Sequence, residues 1–335
     1  MSVKYILKKN IFAFFIFLFL VSAASAQDQE RTELVDVGDV VKPGVKFISE
    51  LFVQASTLPE AKIGFNQHFK FPVMQGDGSN PLFKNNNIDL VLSAEVTPVS
   101  LDAIVKAVWE PIAFLQFTAG TRFGSGWSLK LFGGELYGIG FNTADDKGGA
   151  RYDGSAFDAL NWRVFGGGLF QFDLAALIPG DWTHVVVQTY HEFSYRANTR
   201  AKNGESWYYE NDDGENQNGV MYFGNITLGY QMPKRPIFLN MIAIQAEMEM
   251  YFYDDPGREN WGDDLMRWRL APILQFSFTD NLELYLIAQF WTRRNFTNYK
   301  YSKSDNVHYK HRILDTSNPI RMEFYRAAIM FMYRF

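Results

Sequence analysis

"AAIMFMYRF" occupies residues 327–335, the last nine of the 335 in the sequence, and its reading decides the fold. Counting back from Phe335, aromatic or apolar side chains recur at every second position, at Tyr333, Phe331, Ile329, Ala327 and Tyr325. A period of two sets them on one face of a strand, because successive Cβ atoms point to opposite sides. The other face carries Arg326, Ala328, Met330, Met332 and Arg334. The last strand of a soluble sandwich would alternate in the same way, so the remainder of the chain has to discriminate.

At the other end, Lys4, Lys8 and Lys9 form a positive region ahead of an apolar run, "IFAFFIFLFLV" (11–21), and "SAASAQ" places Ala24 and Ala26 ahead of Gln27. This arrangement reads as a secretory signal peptide over 1–26, cleaved before Gln27. The run is shorter than the roughly 20 residues of a membrane helix. There are no cysteines, which excludes a disulfide scaffold, thiolate chemistry and a lipid anchor on Cys.

The formal charge is −5, and no Lys/Arg block resembles a nucleic-acid footprint. Aromatic residues are 17% of the chain, with 31 Phe, 17 Tyr and 8 Trp. Yet mean hydropathy is slightly negative, and nothing after residue 26 forms an uninterrupted apolar helix. A secreted chain this aromatic hides its hydrophobicity in alternation. In lipid every backbone group must be bonded internally, so the strand-built solution is a closed barrel.

Turn and loop signals divide the chain. Short connections fall at "TDN" (279–281), "MPKRP" (232–236), "PGDW" (179–182), "FGSG" (123–126), "WEP" (109–111) and "TPVS" (97–100). Long polar loops fall at 297–318, 254–264, 201–219 and 142–155. Gly, Asn, Asp and Pro supply the conformations these connections need. The alternation predicts strands near 61–71, 87–97, 99–109, 112–122, 127–141, 157–177, 183–197, 219–231, 236–253, 265–278, 282–297 and 320–335. That even count, with short turns mainly at one rim and long loops at the other, predicts an all-β fold: a transmembrane antiparallel up-and-down barrel of about 12 strands over 61–335. Residues 27–60 fit it poorly. "GVKFISELFVQAS" (44–56) has Val45, Ile48, Leu51 and Phe52 roughly on one side of a helix, or is an extra strand; the expectation is a periplasmic or lumen-filling segment.

With those residues in view, the chain resembles a diderm-bacterial outer-membrane β-barrel of the porin-like class. The resemblance rests on the terminal alternation, and it implies that Phe331, Tyr333 and Phe335 form the barrel-assembly signal. It also implies periplasmic chaperones and the assembly machinery as partners, outer-membrane lipid around the wall, and the cell outer membrane as location.

The residues point away from catalysis. "HEFSYRAN" (191–198) holds His191, Ser194 and Asn198, which resembles the residue set of the outer-membrane phospholipases. A dyad needs His and Ser on one face, so that the imidazole can take the hydroxyl proton. A separation of three puts them on opposite faces of a strand. "ENDDGENQN" (210–218) fails the calcium-loop pattern, since Gly214 in sixth place puts Tyr209 in first. His308 and His311 suit neither helical nor strand chelation, and "GIGFN" (138–142) and "GGG" (166–168) lie in strand patterns, where glycine marks a bend, a bulge or a close approach. No catalytic residue, metal site or cofactor is expected.

What remains is the inward face, which by parity collects Lys62, His68, Lys70, Asp89, Glu95, Asp102, Lys106, Glu110, Arg122, Arg163, Asp173, Glu192, Arg196, Arg326 and Arg334. It also takes a candidate pore-lining set, Glu247, Glu249, Arg267, Arg269 and Arg293. Equal arms across 254–264 set Glu249 opposite Arg269, and across "TDN" they set Arg267 beside Arg293. The leading function is a narrow passive channel for small hydrophilic solutes, with charged side chains setting selectivity. The alternatives are a closed structural or adhesion barrel acting through its loops, where Trp207, Tyr208 and Tyr209 would suit binding, and a hydrophobic-solute transporter with 27–60 as plug.

Overall fold

The structure is a computed structural model that describes residues 44–57, 61–74, 82–83, 86–131, 134–144, 150–202, 205–210, 216–233, 238–252, 262, 265–297 and 313–335. The expected signal peptide, His308 and His311, and most of the acidic loops lie outside these residues. Alternating β-branched and aromatic residues build the strands, as pleated surfaces favour. The first five are β1 (Lys46–Ser56), β2 (Ala61–Pro72), β3 (Asn87–Val96), β4 (Ser100–Ile112) and β5 (Leu115–Gly126). Four short pieces follow: β6 (Leu129–Leu131), β7 (Gly134–Leu136), β8 (Ile139–Ala144) and β9 (Ala150–Asp153). Then come β10 (Asn161–Asp173), β11 (Val185–Asn198), the short β12 (Trp207–Tyr209), β13 (Gly219–Gln231), β14 (Leu239–Tyr251), β15 (Arg267–Ser277) and β16 (Leu282–Arg294). A small pair, β17 (Phe296–Thr297) and β18 (Ile313–Leu314), precedes β19 (Ile320–Arg334).

Twelve of these close a ring in the order β1-β19-β16-β15-β14-β13-β11-β10-β5-β4-β3-β2, every neighbouring pair antiparallel. The expected fold class and count of twelve hold, but one of the twelve strands differs. The strand expected at 127–141 is absent from the wall. The wall strand that completes the ring is β1, so the described wall begins at Lys46 and not at residue 61, and residues 46–56 of the expected plug segment are a wall strand.

The physical reason lies in the edges. A ring without β1 would leave β2 and β19 with unpaired N–H and C=O groups, which hydrocarbon does not satisfy. Instead β1 pairs β2 from Lys46↔Lys70 to Ala55↔Ala61, and β19 from Glu50↔Arg334 to Ser56↔Ala328. The helical spacing of Val45, Ile48, Leu51 and Phe52 misled, because the alternation of Phe47, Leu51 and Val53 against Ile48, Glu50 and Gln54 decides the conformation. The amide of Phe335 and the carbonyl of Ser49 add a further bond across the seam at 2.9 Å.

This change of one strand also reverses the sidedness of residues 61–122. The turn at 97–99 lies at the rim opposite Phe335, and the turn at 113–114 lies at the Phe335 rim, the reverse of what equal hairpins predicted for "TPVS" and "WEP". The stretch at 73–86 joins β2 to β3 at the Phe335 rim. "FGSG" (123–126) is no turn; it ends β5, where the chain leaves the wall.

Large apolar residues stand exposed all around the outside, from Ile63, Phe65 and Phe71 through Val105 and Trp109 to Ile242, Ile244, Phe290 and Phe331. A closed ring of strands 10 to 15 residues long with this outer face is a membrane-spanning wall. The terminal alternation has one departure. Register shifts between Gln289↔Arg326 and Phe290↔Phe324, so Tyr325 is an extra residue in a bulge. Tyr325 turns into the lumen and stacks on Trp291 at 4.1 Å, while Phe324 takes the outward place. Phe331 and Phe335 remain on the outer face.

The seam is testable, since no native thiol competes. Paired cysteines replacing Val53 and Phe331, which are Cα partners, should oxidise to a cross-link in the folded barrel. Cysteines replacing Ile63 and Phe331, one strand further apart, should not. Gel mobility under oxidising and reducing conditions reads the result, and the reverse outcome would restore a wall beginning at residue 61.

Candidate functional site

Inside the ring the other parity gathers the charges, and many of them meet an opposite charge on the adjoining strand. Lys62 Nζ reaches Glu95 at 2.9 Å, and Arg122 Nε donates to Asp102 Oδ1 at 2.7 Å. His68 Nδ1 lies 2.8 Å from Asp89 Oδ2, and its Nε2 lies 3.4 Å from Glu50. Arg163 bonds Glu192. Arg334 donates to Glu50 at 2.8 Å and to Glu283 at 3.1 Å.

The expected pore-lining residues all face inward; the register across β14 and β15 differs from the expected one, while that across β15 and β16, with Arg269 opposite Trp291, keeps the expected count. Glu249 stands opposite Arg267 and Glu247 opposite Arg269, two positions from the expected pairing. A shift of two keeps every residue on its face, whereas a shift of one would have reversed them all. Arg267 Nη2 donates to Glu249 at 2.9 Å and Arg269 Nη1 to Glu247 at 3.1 Å. Arg293 turns instead to β19, where its Nη1 donates to Glu323 Oε1 at 3.4 Å. The two acids thus line β14 and the two arginines line β15, in facing cross-strand pairs.

What sequence reasoning missed is the content of the lumen. Between β5 and β10 the chain folds inward: β6 and β7 form a hairpin, and β8 pairs with β9 on one side and β12 on the other. Ile139, Ala159, Trp207 and Tyr209 form a buried cluster of this insertion, with Trp207 0% exposed. The loop aromatics Trp207, Tyr208 and Tyr209 are thus not an exposed binding surface. The Arg196 guanidinium, from the wall, lies over the Trp207 ring at 5.1 Å, a cation–π contact. Gly138 permits the closest approach: a Cβ there would stand 1.9 Å from the Val99 carbonyl oxygen. The signal available in the sequence was this glycine density, "GGELYGIG" (133–140), unusual for a wall strand.

Glu210, directly after β12, ties the insertion to the wall. Ser100 Oγ donates to its Oε1 at 2.9 Å and Arg122 Nη2 to its Oε2 at 3.3 Å, while Lys62 Nζ stands 3.7 Å away. Burial pushes the Glu210 carboxyl up, but the Arg122 and Lys62 charges and the Ser100 hydroxyl outweigh it and hold the group below its ordinary range. Between insertion and wall lies a cavity of about 350 Å³ whose lining includes Arg163, Arg196, Arg269, Arg326, Glu249 and Tyr325.

The weighed alternatives can be placed. His191 faces outward, with Nδ1 2.6 Å from Tyr222 Oη and Nε2 2.9 Å from Thr189 Oγ1, while Ser194 is buried on the inner side, so the spacing argument against a dyad describes their positions. Among the described residues no three His, Asp or Glu side chains are arranged to hold a metal ion.

No family model and no curated protein matches the chain. Solved outer-membrane barrels do. A KdgM porin structure is 10% identical over 86% of this chain and 99% of its own, at a TM-score of 0.37. A NanC porin is 6% identical over 86% and 98%, at 0.38, and the beta domain of the Bordetella autotransporter BrkA is 10% identical over 86% and 98%, at 0.42. Identities and TM-scores this low say nothing of what this chain carries or binds.

The corrected pairing can be checked energetically. Replacing Glu249 with Gln, or Arg267 with Met, should each destabilise the folded barrel by about 2 kcal/mol, between the worth of a surface pair and a buried one. The double variant should fall short of the sum by about 1 kcal/mol, read by denaturant unfolding in detergent. Additive losses would mean that the two side chains do not interact.

Proposed function

We propose that this chain is an outer-membrane barrel that forms a narrow passive channel for small hydrophilic solutes. The observation that carries this reading is the cavity of about 350 Å³ left between the lumen insertion and a wall of charged side chains. Twelve strands enclose a lumen between the filled eight-stranded barrels and the wide porins, and the insertion narrows it further. Water and small polar solutes suit such a lining, since guanidinium and carboxylate groups can exchange hydrogen bonds with them, whereas an apolar solute would have to desolvate the ion pairs.

In this reading the Phe335 rim faces the periplasm and the opposite rim, with the insertion, faces the outside. Lipid surrounds the apolar wall. Periplasmic chaperones deliver the chain, and the assembly machinery reads Phe331, Tyr333 and Phe335, which stand on the outer face of β19 at its end. Direct support for the location is the wall itself: among the described strand interiors, the outward positions are apolar or aromatic with few exceptions, of which His191 is the ionisable one.

Folded protein reconstituted into planar bilayers should give small, voltage-tolerant conductance steps. The variant with Arg267, Arg269 and Arg293 all replaced by Ser should shift the reversal potential in a salt gradient toward cations. A bilayer that stays sealed with correctly folded protein would favour the closed structural barrel, in which the cross-strand pairs and the insertion simply fill the lumen.

A further inference from the structure

The barrel wall carries a carboxylate cradle that the chain itself fills. Three wall strands aim at one group: Lys62 from β2, Ser100 from β4 and Arg122 from β5 converge on the Glu210 carboxylate, at 3.7, 2.9 and 3.3 Å. The cradle does not depend on Glu210 for its own balance. Lys62 also meets Glu95 at 2.9 Å, and Arg122 meets Asp102 at 2.7 Å and Glu95 at 3.6 Å, so both cations stay paired when Glu210 leaves. Glu210 is meanwhile held awkwardly, at a φ of 55°, in the left-handed region that strains a residue with a side chain.

A group held in a strained conformation at a site that stays satisfied without it is a replaceable occupant. We propose that Lys62, Ser100 and Arg122 form a binding site for a carboxylate-bearing solute, and that Glu210 occupies it as an intramolecular competitor whose displacement removes one of the ties that hold residues 206–210 to the wall. This rests on the channel reading for its consequence, a wider passage, but not for its chemistry. A single carboxylate suits the site because it replaces one negative charge with one. A dianion would add a second charge beside Glu95 and Asp102, which like-charge repulsion opposes. A tethered competitor acts at an effective concentration on the order of mM, so the free carboxylate must reach that range or exceed it.

Ser206 supplies the probe, being buried beside Trp207 in a chain with no native cysteine. Full-length Ser206→Cys protein, refolded in detergent, is labelled with a maleimide in sodium acetate and in sodium chloride at equal ionic strength. Acetate should speed labelling severalfold. The double variant Ser206→Cys/Glu210→Gln, checked for barrel fold by circular dichroism and unheated gel mobility, should label about tenfold faster without acetate, as loss of hydrogen bonds to a charged group implies, and gain nothing from it. Labelling of Ser206→Cys that ignores acetate overturns the binding site, and that arm needs no change at Glu210, so it stands even if the double variant fails to fold. A Glu210→Gln variant that folds but labels no faster overturns the competitor. Acetate-dependent labelling in a protein that conducts no ions would keep the cradle and remove the channel reading, so the two fail separately.

Discussion

Backbone pairing at the seam between β1 and β19 is the contact on which the rest depends. Hydrocarbon offers no partner for an N–H or C=O group, and each one left unbonded there costs several kcal/mol. Any open edge of this sheet would expose a row of them. With the seam made, alternation has only two faces to fill, lipid and lumen, and every later feature follows from that division: the aromatic outer wall, the ion pairs within, and the room in which an insertion can fold.

The lumen then has its own asymmetry. In several cross-strand pairs the arginine is the partner nearer water. Arg163 keeps 31% of its side chain exposed against 6% for Glu192, Arg122 keeps 23% against none for Asp102, and Arg334 keeps 39% against 9% for Glu283. A long side chain reaching past a short acid anchored near the backbone produces this, and the guanidinium tolerates partial desolvation better than an ammonium. Paired charges thus need not present a neutral surface. Arg269 and Arg326 also lie over the Tyr325 ring, at 5.6 and 5.1 Å, so the bulge that turned Tyr325 inward holds two more cations in place.

Much of the wall was legible because a period of two survives without knowledge of partners. The seven strands from 157 to 335 that alternation predicts are in the ring, near their expected bounds. The N-terminal third was harder. Residues 44–56 read equally as helix or strand, since Phe47, Ile48, Leu51 and Phe52 satisfy both periods locally. Residues 127–141 alternate because β6 to β8 are strands, only not wall strands; alternation reports local conformation and not which sheet receives it. These two errors cancelled in the count while inverting the sidedness of 61–122. Within the site, facing came from parity and was right for Glu247, Glu249, Arg267 and Arg269, whereas exact partners depend on loop arms, whose lengths set register. The Glu210 anchor had no sequence signal, being joined to Ser100 across 110 positions.

The seam joins residues far apart in the chain: Arg334 bonds Glu50 across 284 positions, whereas Asn66 reaches the same Glu50 across 16. Loop-closure entropy grows with the logarithm of that separation, so the seam costs about 2–3 kcal/mol more to bring together than the β1–β2 hairpin does. Timing follows from this. Hairpins can zip along the chain as it becomes available, but the last joint waits until both ends have arrived, and until then two raw edges coexist. The slow event in making this protein is therefore a docking of its own beginning to its own end, and the interval before it is when the chain is most open to pairing with a stranger.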